Sequence, residues 1–136
     1  ALAAARGSFQ TASQIDSTRQ IRDIEPRILE ISRLERIADA FIKGDELLKQ
    51  KEWKLAESNF TAALESCQTV GETNMVQSRI DMADYGKYMD SGIRDFRVGQ
   101  YVGAQVMFER AQKIKNTPEV QEWIAKVVEA VGEEEE

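Results

Sequence analysis

The chain has no histidine and a single cysteine, Cys67. One thiol cannot close an intramolecular disulfide, and without histidine the usual Cys/His zinc site cannot be built. No metal and no cofactor is therefore expected. The commonest general base is missing too, which weighs against acid–base catalysis. No run of eighteen apolar residues occurs, so no direct membrane span is expected in this sequence. Basic residues are also scarce: 18 Lys and Arg face 24 Asp and Glu, a net charge of −6. A general nucleic-acid binder needs a basic face to displace counterions from phosphates, so no nucleic-acid partner is expected. The opening Ala1-Leu2-Ala3-Ala4 lacks a methionine and reads as a processed or excised piece.

The 136 residues suffice for one domain with a core. From Pro118 to Glu136 there are seven Glu and one Lys, so this segment alone carries −6. The run Glu133–Glu136 is expected to be a solvated, disordered tail, with residues 132–136 outside the folded part. Cys67 falls on an apolar helical stretch and reads as an inert core thiol.

Helical periodicity runs through the rest, and no segment shows the two-residue alternation of a strand. Residues 1–25 read as a polar N-terminal helical extension, frayed through Ser8, with Ile15, Ile21 and Ile24 as its few anchors. Pro26 would cost roughly 3 kcal/mol inside a helix but little in a first turn. A boundary or kink is therefore expected at Glu25–Pro26. Beyond it Ile28, Ile31, Leu34, Ala38 and Phe41 form one face, and Ile21 and Ile24 extend that stripe backwards. Such a stripe suits either self-association as a coiled-coil seam or packing on its own domain.

Next, a helix reaches about Gln50, Lys51 and Glu52 make a tight turn, and a second helix starts at Trp53. Gly71 is the expected C-cap, and Thr73 or Asn74 the next N-cap. A long helix then runs to about Arg97, Val98 and Gly99 turn, and another helix spans about Gln100 to Lys115. Thr117-Pro118-Glu119 is a strong helix start. The final helix carries Val120, Trp123, Ile124, Val127, Val128 and Val131 on one face and is expected to end at Gly132.

One offset relates the middle helices. Gly44 aligns with Gly92, Trp53 with Tyr101, Ala56 with Ala104, Phe60 with Phe108 and Ala63 with Ala111, each pair 48 residues apart. All are glycine, alanine or aromatic, which marks an internal repeat. Antiparallel helices approach closely only where side chains are small, so the alanines suit helix crossings and the glycines opposing notches. The two phenylalanines would fill the space between hairpins.

On these residues the chain resembles the tetratricopeptide repeat family over roughly residues 36–116. Two departures stand out. The period is longer than the family's usual 34 or so, and about three repeats normally make a stable solenoid. The helices around the Gly71 turn must then be longer than usual. The resemblance implies an all-α fold of stacked antiparallel hairpins over about 36–69 and 74–115, with a capping helix over 117–131. It also implies a non-enzymatic scaffold or adaptor that binds a partner peptide or helix in a concave groove, a membrane-associated assembly being one setting. By register the groove residues would be Phe41, Asp45, Leu48 and Lys49 from the first hairpin. The second would supply Met89, Ile93, Phe96 and Arg97. Some relatives clamp a C-terminal carboxylate with Lys and Asn; Asp45 in that register would repel one, so an apolar groove fits better.

The alternative is a structural module that forms homo-oligomers through Ile21, Ile24, Ile28 and Ile31 or an open repeat end. An enzyme is not expected. The acidic pairs Asp81/Asp84 and Asp90/Asp95 sit on charge-rich helices and read as a solvated face. Gly86, Gly92, Gly99 and Gly103 lack the strand-to-helix setting of a phosphate loop.

Overall fold

A computed structural model describes residues 18–135, with side chains from Ile24 to residue 134. The protein is all-α: α1 (Thr18–Lys49), α2 (Trp53–Leu64), α3 (Val70–Arg97), α4 (Tyr101–Ile114) and α5 (Pro118–Glu135), with no strand among the described residues. Expectations for residues 1–17, those for Ser8 and Ile15 included, lie outside the described residues, as does the side chain of Ile21. Among the described residues no helix is long and apolar enough to cross a membrane.

Successive helices pack on one another, and α3 is the shared element. Its first half gives Val76, Ile80 and Ala83 to a core with Ala56, Phe60 and Ala63 of α2. Its second half gives Met89 to a core with Ala104, Phe108 and Ala111 of α4 and Val120 and Val127 of α5. Ala56, Phe60, Ala104 and Phe108 are wholly buried.

The same contact closes both hairpins. A Cβ on Gly44 would stand 2.6 Å from Cε1 and Cε2 of Phe60, and one on Gly92 would stand 2.6 Å from Cε1 of Phe108. Each ring thus presses into a helix at a point where any side chain would obstruct it. The connecting turns match as well. Lys51 (φ 59°) and Gly99 (φ 81°) both take the left-handed conformation. The following residues are nearly superposable, Glu52 at φ −86°, ψ 69° and Gln100 at φ −88°, ψ 71°. In each turn the amide of the residue just before the next helix reaches back to the carbonyl five residues earlier: Glu52 N to Leu47 O at 2.9 Å, and Gln100 N to Asp95 O at 2.8 Å. This is the Schellman closure that satisfies the last carbonyls of a helix.

Three expected boundaries are corrected. First, of the boundary or kink expected at Glu25–Pro26 the boundary is absent, since α1 continues through Pro26. Pro26 is exposed, and the stripe of Ile24, Ile28 and Ile31 is continuous across it, which favours helix on both sides. Second, α2 ends at Leu64 and α3 starts at Val70, so Gly71 lies in the first turn of α3 rather than capping the helix before it. The N-cap is Thr69, which accepts from Glu72 N at 3.1 Å while Glu72 Oε1 accepts from Thr69 N at 3.2 Å. That reciprocal pair is a capping box, and Thr69-Val70-Gly71-Glu72 carries its signature. Third, α5 continues through Gly132 to Glu135, so most of the expected disordered tail is helical. Gly132 does not take the left-handed backbone of a helix stop, and glutamate is a good helix former.

Glu72 also anchors α1. Arg33 is 6% exposed; its Nη1 donates to Glu72 Oε1 at 2.5 Å and to the Ser66 carbonyl at 3.1 Å, and its Nε and Nη2 hold Glu30 at 3.0 and 2.6 Å. The Arg33 hydrogen bond, joined by the amides of Gln68 and Thr69, pulls the Glu72 carboxyl down to about 2. One guanidinium therefore ties α1 to the end of α2 and the start of α3.

Candidate functional site

The period of 48 has a direct structural consequence. The first half of α3 already packs against the first hairpin, so the second hairpin is displaced along α3. Arg79, beside Phe41, and Arg97 are eighteen residues apart on α3, which at 1.5 Å per residue is about 27 Å. At the step between the two units, halfway along α3, lies a cavity of about 750 Å³. The α1–α2 turn stands on one side of it and the α4–α5 turn on the other.

Its apolar lining comes from Leu48, Trp53, Met82, Tyr85, Met89 and Ile114, and its rim carries Lys51, Asp81, Asp90, Lys115 and Glu119. Each wall is fixed by a specific contact. Trp53 lies flat against Gly86, where a Cβ would meet its Cη2 at 2.6 Å, and its Nε1 donates to Asp90 Oδ2 at 2.6 Å. On the other side the Tyr85 hydroxyl and Thr117 Oγ1 are 2.6 Å apart. Thr117 Oγ1 also accepts from Val120 N at 3.1 Å, capping α5. Met82 is 51% exposed and forms the accessible part of the floor. A flexible thioether at such a point adapts to different apolar surfaces.

Seven of the eight residues expected to share one groove divide into three groups. Phe41 and Asp45 sit with Arg79 on the first unit: Phe41 meets Phe60 edge-on at 5.7 Å, Arg79 lies 5.2 Å above the Phe41 ring, and Arg79 Nε donates to Asp45 Oδ1 at 2.9 Å. Leu48 and Met89 meet at the central cavity, although Met89 is 4% exposed and belongs mainly to the second core. Phe96 is enclosed by Tyr101 at 5.3 Å and Trp123 at 5.4 Å, while Ile93 packs on the same core. Arg97, exposed in the last turn of α3, lines a second cavity of about 480 Å³ together with Ile93, while Lys49 is exposed in the last turn of α1. The long α3 offsets the two units, so these residues are spread along it, with Leu48 and Met89 at the central cavity. Of the self-association stripe, Ile24 is buried and Ile28 and Ile31 are half-buried.

The acidic pairs also separate. Asp81 is exposed, as expected of a solvated face. Asp84 is not: it faces α2 and stands 3.4 Å from Lys87 Nζ. Asp90 holds Trp53, and Asp95 Oδ2 lies where a Cβ on Gly103 would meet it at 3.2 Å. The members of each pair serve different surroundings.

Sequence reasoning missed Trp53, Met82, Tyr85, Ile114 and Thr117 as walls of one cavity. Gly86 is the available signal. A glycine in a helix interior costs about 1 kcal/mol against alanine, and an aromatic ring pressed against it explains its presence. No protein-family model, curated protein or solved structure matches the chain.

Proposed function

We propose that this chain is a non-enzymatic interaction scaffold that receives a peptide or helix from a partner protein in the notch at the middle of α3. The observation that carries this reading is an apolar cavity of about 750 Å³ opening between two hairpin turns, with an exposed methionine in its floor. Its size suits a few side chains of a docked segment, and an apolar floor with a charged rim is the usual arrangement for helix-in-groove recognition. The matched glycine–phenylalanine contacts support a tetratricopeptide-like origin for the two units, with the long α3 as its main departure.

Site-specific photocrosslinking tests the location. A crosslinker placed at Met82 should capture a discrete partner from native lysate, and one at Met75, exposed on the same helix but outside the notch, should not. Equal capture from both positions, or none from Met82, would remove the notch from the binding surface. A second reading, self-association, is supported by Leu29, 69% exposed beside half-buried Ile28 and Ile31. Sedimentation at rising concentration separates the two: a dimer abolished by Ile28→Asp with Ile31→Asp supports self-association, and a strict monomer rejects it.

A further inference from the structure

Away from the notch, α2 and α3 meet through three ionisable groups. Lys87 Nζ stands 3.3 Å from Glu57 Oε2 and 3.4 Å from Asp84 Oδ1. Two carboxyls therefore converge on one ammonium. Asp84 Oδ1 is sealed from solvent and makes no hydrogen bond, alone in this among buried side-chain nitrogens and oxygens of the described residues. Its nearest donor, the Lys87 ammonium, stands off at 3.4 Å as an ion pair, and a buried carboxylate oxygen without a well-formed hydrogen bond is costly. A shared proton removes that cost, because a protonated carboxyl can donate to its neighbour.

We propose that Glu57, Asp84 and Lys87 form a proton-operated clasp between α2 and α3, closed when the two carboxyls share one proton and slackened when that proton leaves for solvent. In the closed state a protonated Asp84 donates to Glu57, and the single remaining carboxylate is matched by Lys87. In the open state two negative charges share one positive charge across a helix interface. The surrounding groups leave this balance intact. On α3 the charged or titratable neighbours one turn away are Asp81, which is exposed and accepts from Gln77 Nε2 at 3.1 Å, Lys87 itself, and Tyr88, whose ring lies 5.1 Å from Lys87 Nζ. From α4 the facing cation is Arg110, held over that same ring at 5.8 Å. From α2 the facing group is the Glu57 carboxyl itself.

Electrostatics agree with the geometry. Burial, followed by the hydrogen bond and charge of Glu57, pushes the Asp84 carboxyl up to about 6. The Asp84 hydrogen bond holds Glu57 below the usual carboxylate range. Because the folded protein binds the Asp84 proton more tightly than the unfolded chain, stability is greater at mildly acidic pH and falls as pH rises through about 6. The absence of histidine makes this window unusually clean, since no ordinary side chain titrates there.

Urea unfolding of wild type and Asp84→Asn tests the clasp. Relative to the variant, the wild-type unfolding constant should rise about tenfold between roughly pH 5 and pH 7, one proton being released over that interval. The amide that replaces the carboxyl is neutral throughout, so the stability of the variant should be nearly flat. Parallel curves for the two proteins would overturn the proposal. Carboxyl carbon NMR of the wild type needs no variant: Asp84 should titrate well above other aspartates, and an ordinary midpoint would overturn it. Glu57→Gln should lower the Asp84 midpoint. An unchanged midpoint would show that burial alone holds the proton and that nothing is shared.

Discussion

In the first hairpin Phe60 is covered by the edge of Phe41, and the far end is fastened by the Arg33–Glu72 charge lock. In the second, Phe108 is stacked by Trp123 of α5 at 5.5 Å and 18°, within a pile that includes Phe96 and Tyr101. The glycine notch and the turn are the same in both. What differs is the neighbour that closes the open side. The second unit has α5, whose apolar face supplies Val120, Trp123 and Val127. The first has the extra half of α3 and a polar fastening to α1. The two hairpins thus share glycine, aromatic and turn, and differ in the element that covers the outer face.

The largest test of this difference is removal of each ring. Both are wholly buried, so Phe60→Ala and Phe108→Ala should each cost about 3–5 kcal/mol in denaturant unfolding. Each loses one aromatic pair worth about 0.5–1.5 kcal/mol beyond area. Phe108→Ala should still lie at the upper end, because its partner Trp123 belongs to a pile with Phe96 and Tyr101 while Phe60 loses only the edge of Phe41. If Phe60→Ala proved the costlier, the aromatic pile would not be the tighter closure.

The glycines come next. In Gly44→Ala and Gly92→Ala the new methyl group meets a ring that is wholly buried and has nowhere to go. Overpacking of about 1–3 kcal/mol is offset in part by the roughly 1 kcal/mol that alanine gains over glycine in a helix. Both should therefore destabilise, Gly44→Ala more, since its ring approaches closer still at Phe60 Cζ. A stabilised Gly44→Ala protein would mean that the ring can move, and that the shared contact is looser than its geometry.

Much of this pairing is legible from residue types alone. Glycine, alanine and phenylalanine at matching registers leave few physical explanations other than helices in close approach, and the Lys51 and Gly99 turns lie where the pattern puts them. The α2–α3 junction is misread from sequence because Gly71 has the character of a stop signal, while the capping box at Thr69 and Glu72 brackets it and starts a helix instead. The notch is not legible. Leu48, Met82 and Ile114 come from three different helices, and their convergence depends on how far α3 displaces the second hairpin. Asp84 is misread for a related reason: its helix is charge-rich, and only packing shows which of those charges α2 covers.

The smallest expected effect is the most direct comparison of the two turns. Lys51 and Gly99 occupy equivalent left-handed positions, and only glycine does so without strain. A side chain there costs roughly 1–2 kcal/mol, set against about 0.5–1 kcal/mol for the greater unfolded-state freedom of glycine. Lys51→Gly should therefore stabilise by about 0.5–1 kcal/mol, and Gly99→Lys should destabilise by a similar amount. The two sites lie in different turns, Lys51 before α2 and Gly99 before α4, so the double exchange should restore wild-type stability to within about 0.5 kcal/mol. Thermal or denaturant midpoints of the four proteins decide it. A loss of stability in Lys51→Gly would mean that the lysine side chain, at the rim of the notch, contributes more to the folded state than its backbone strain removes.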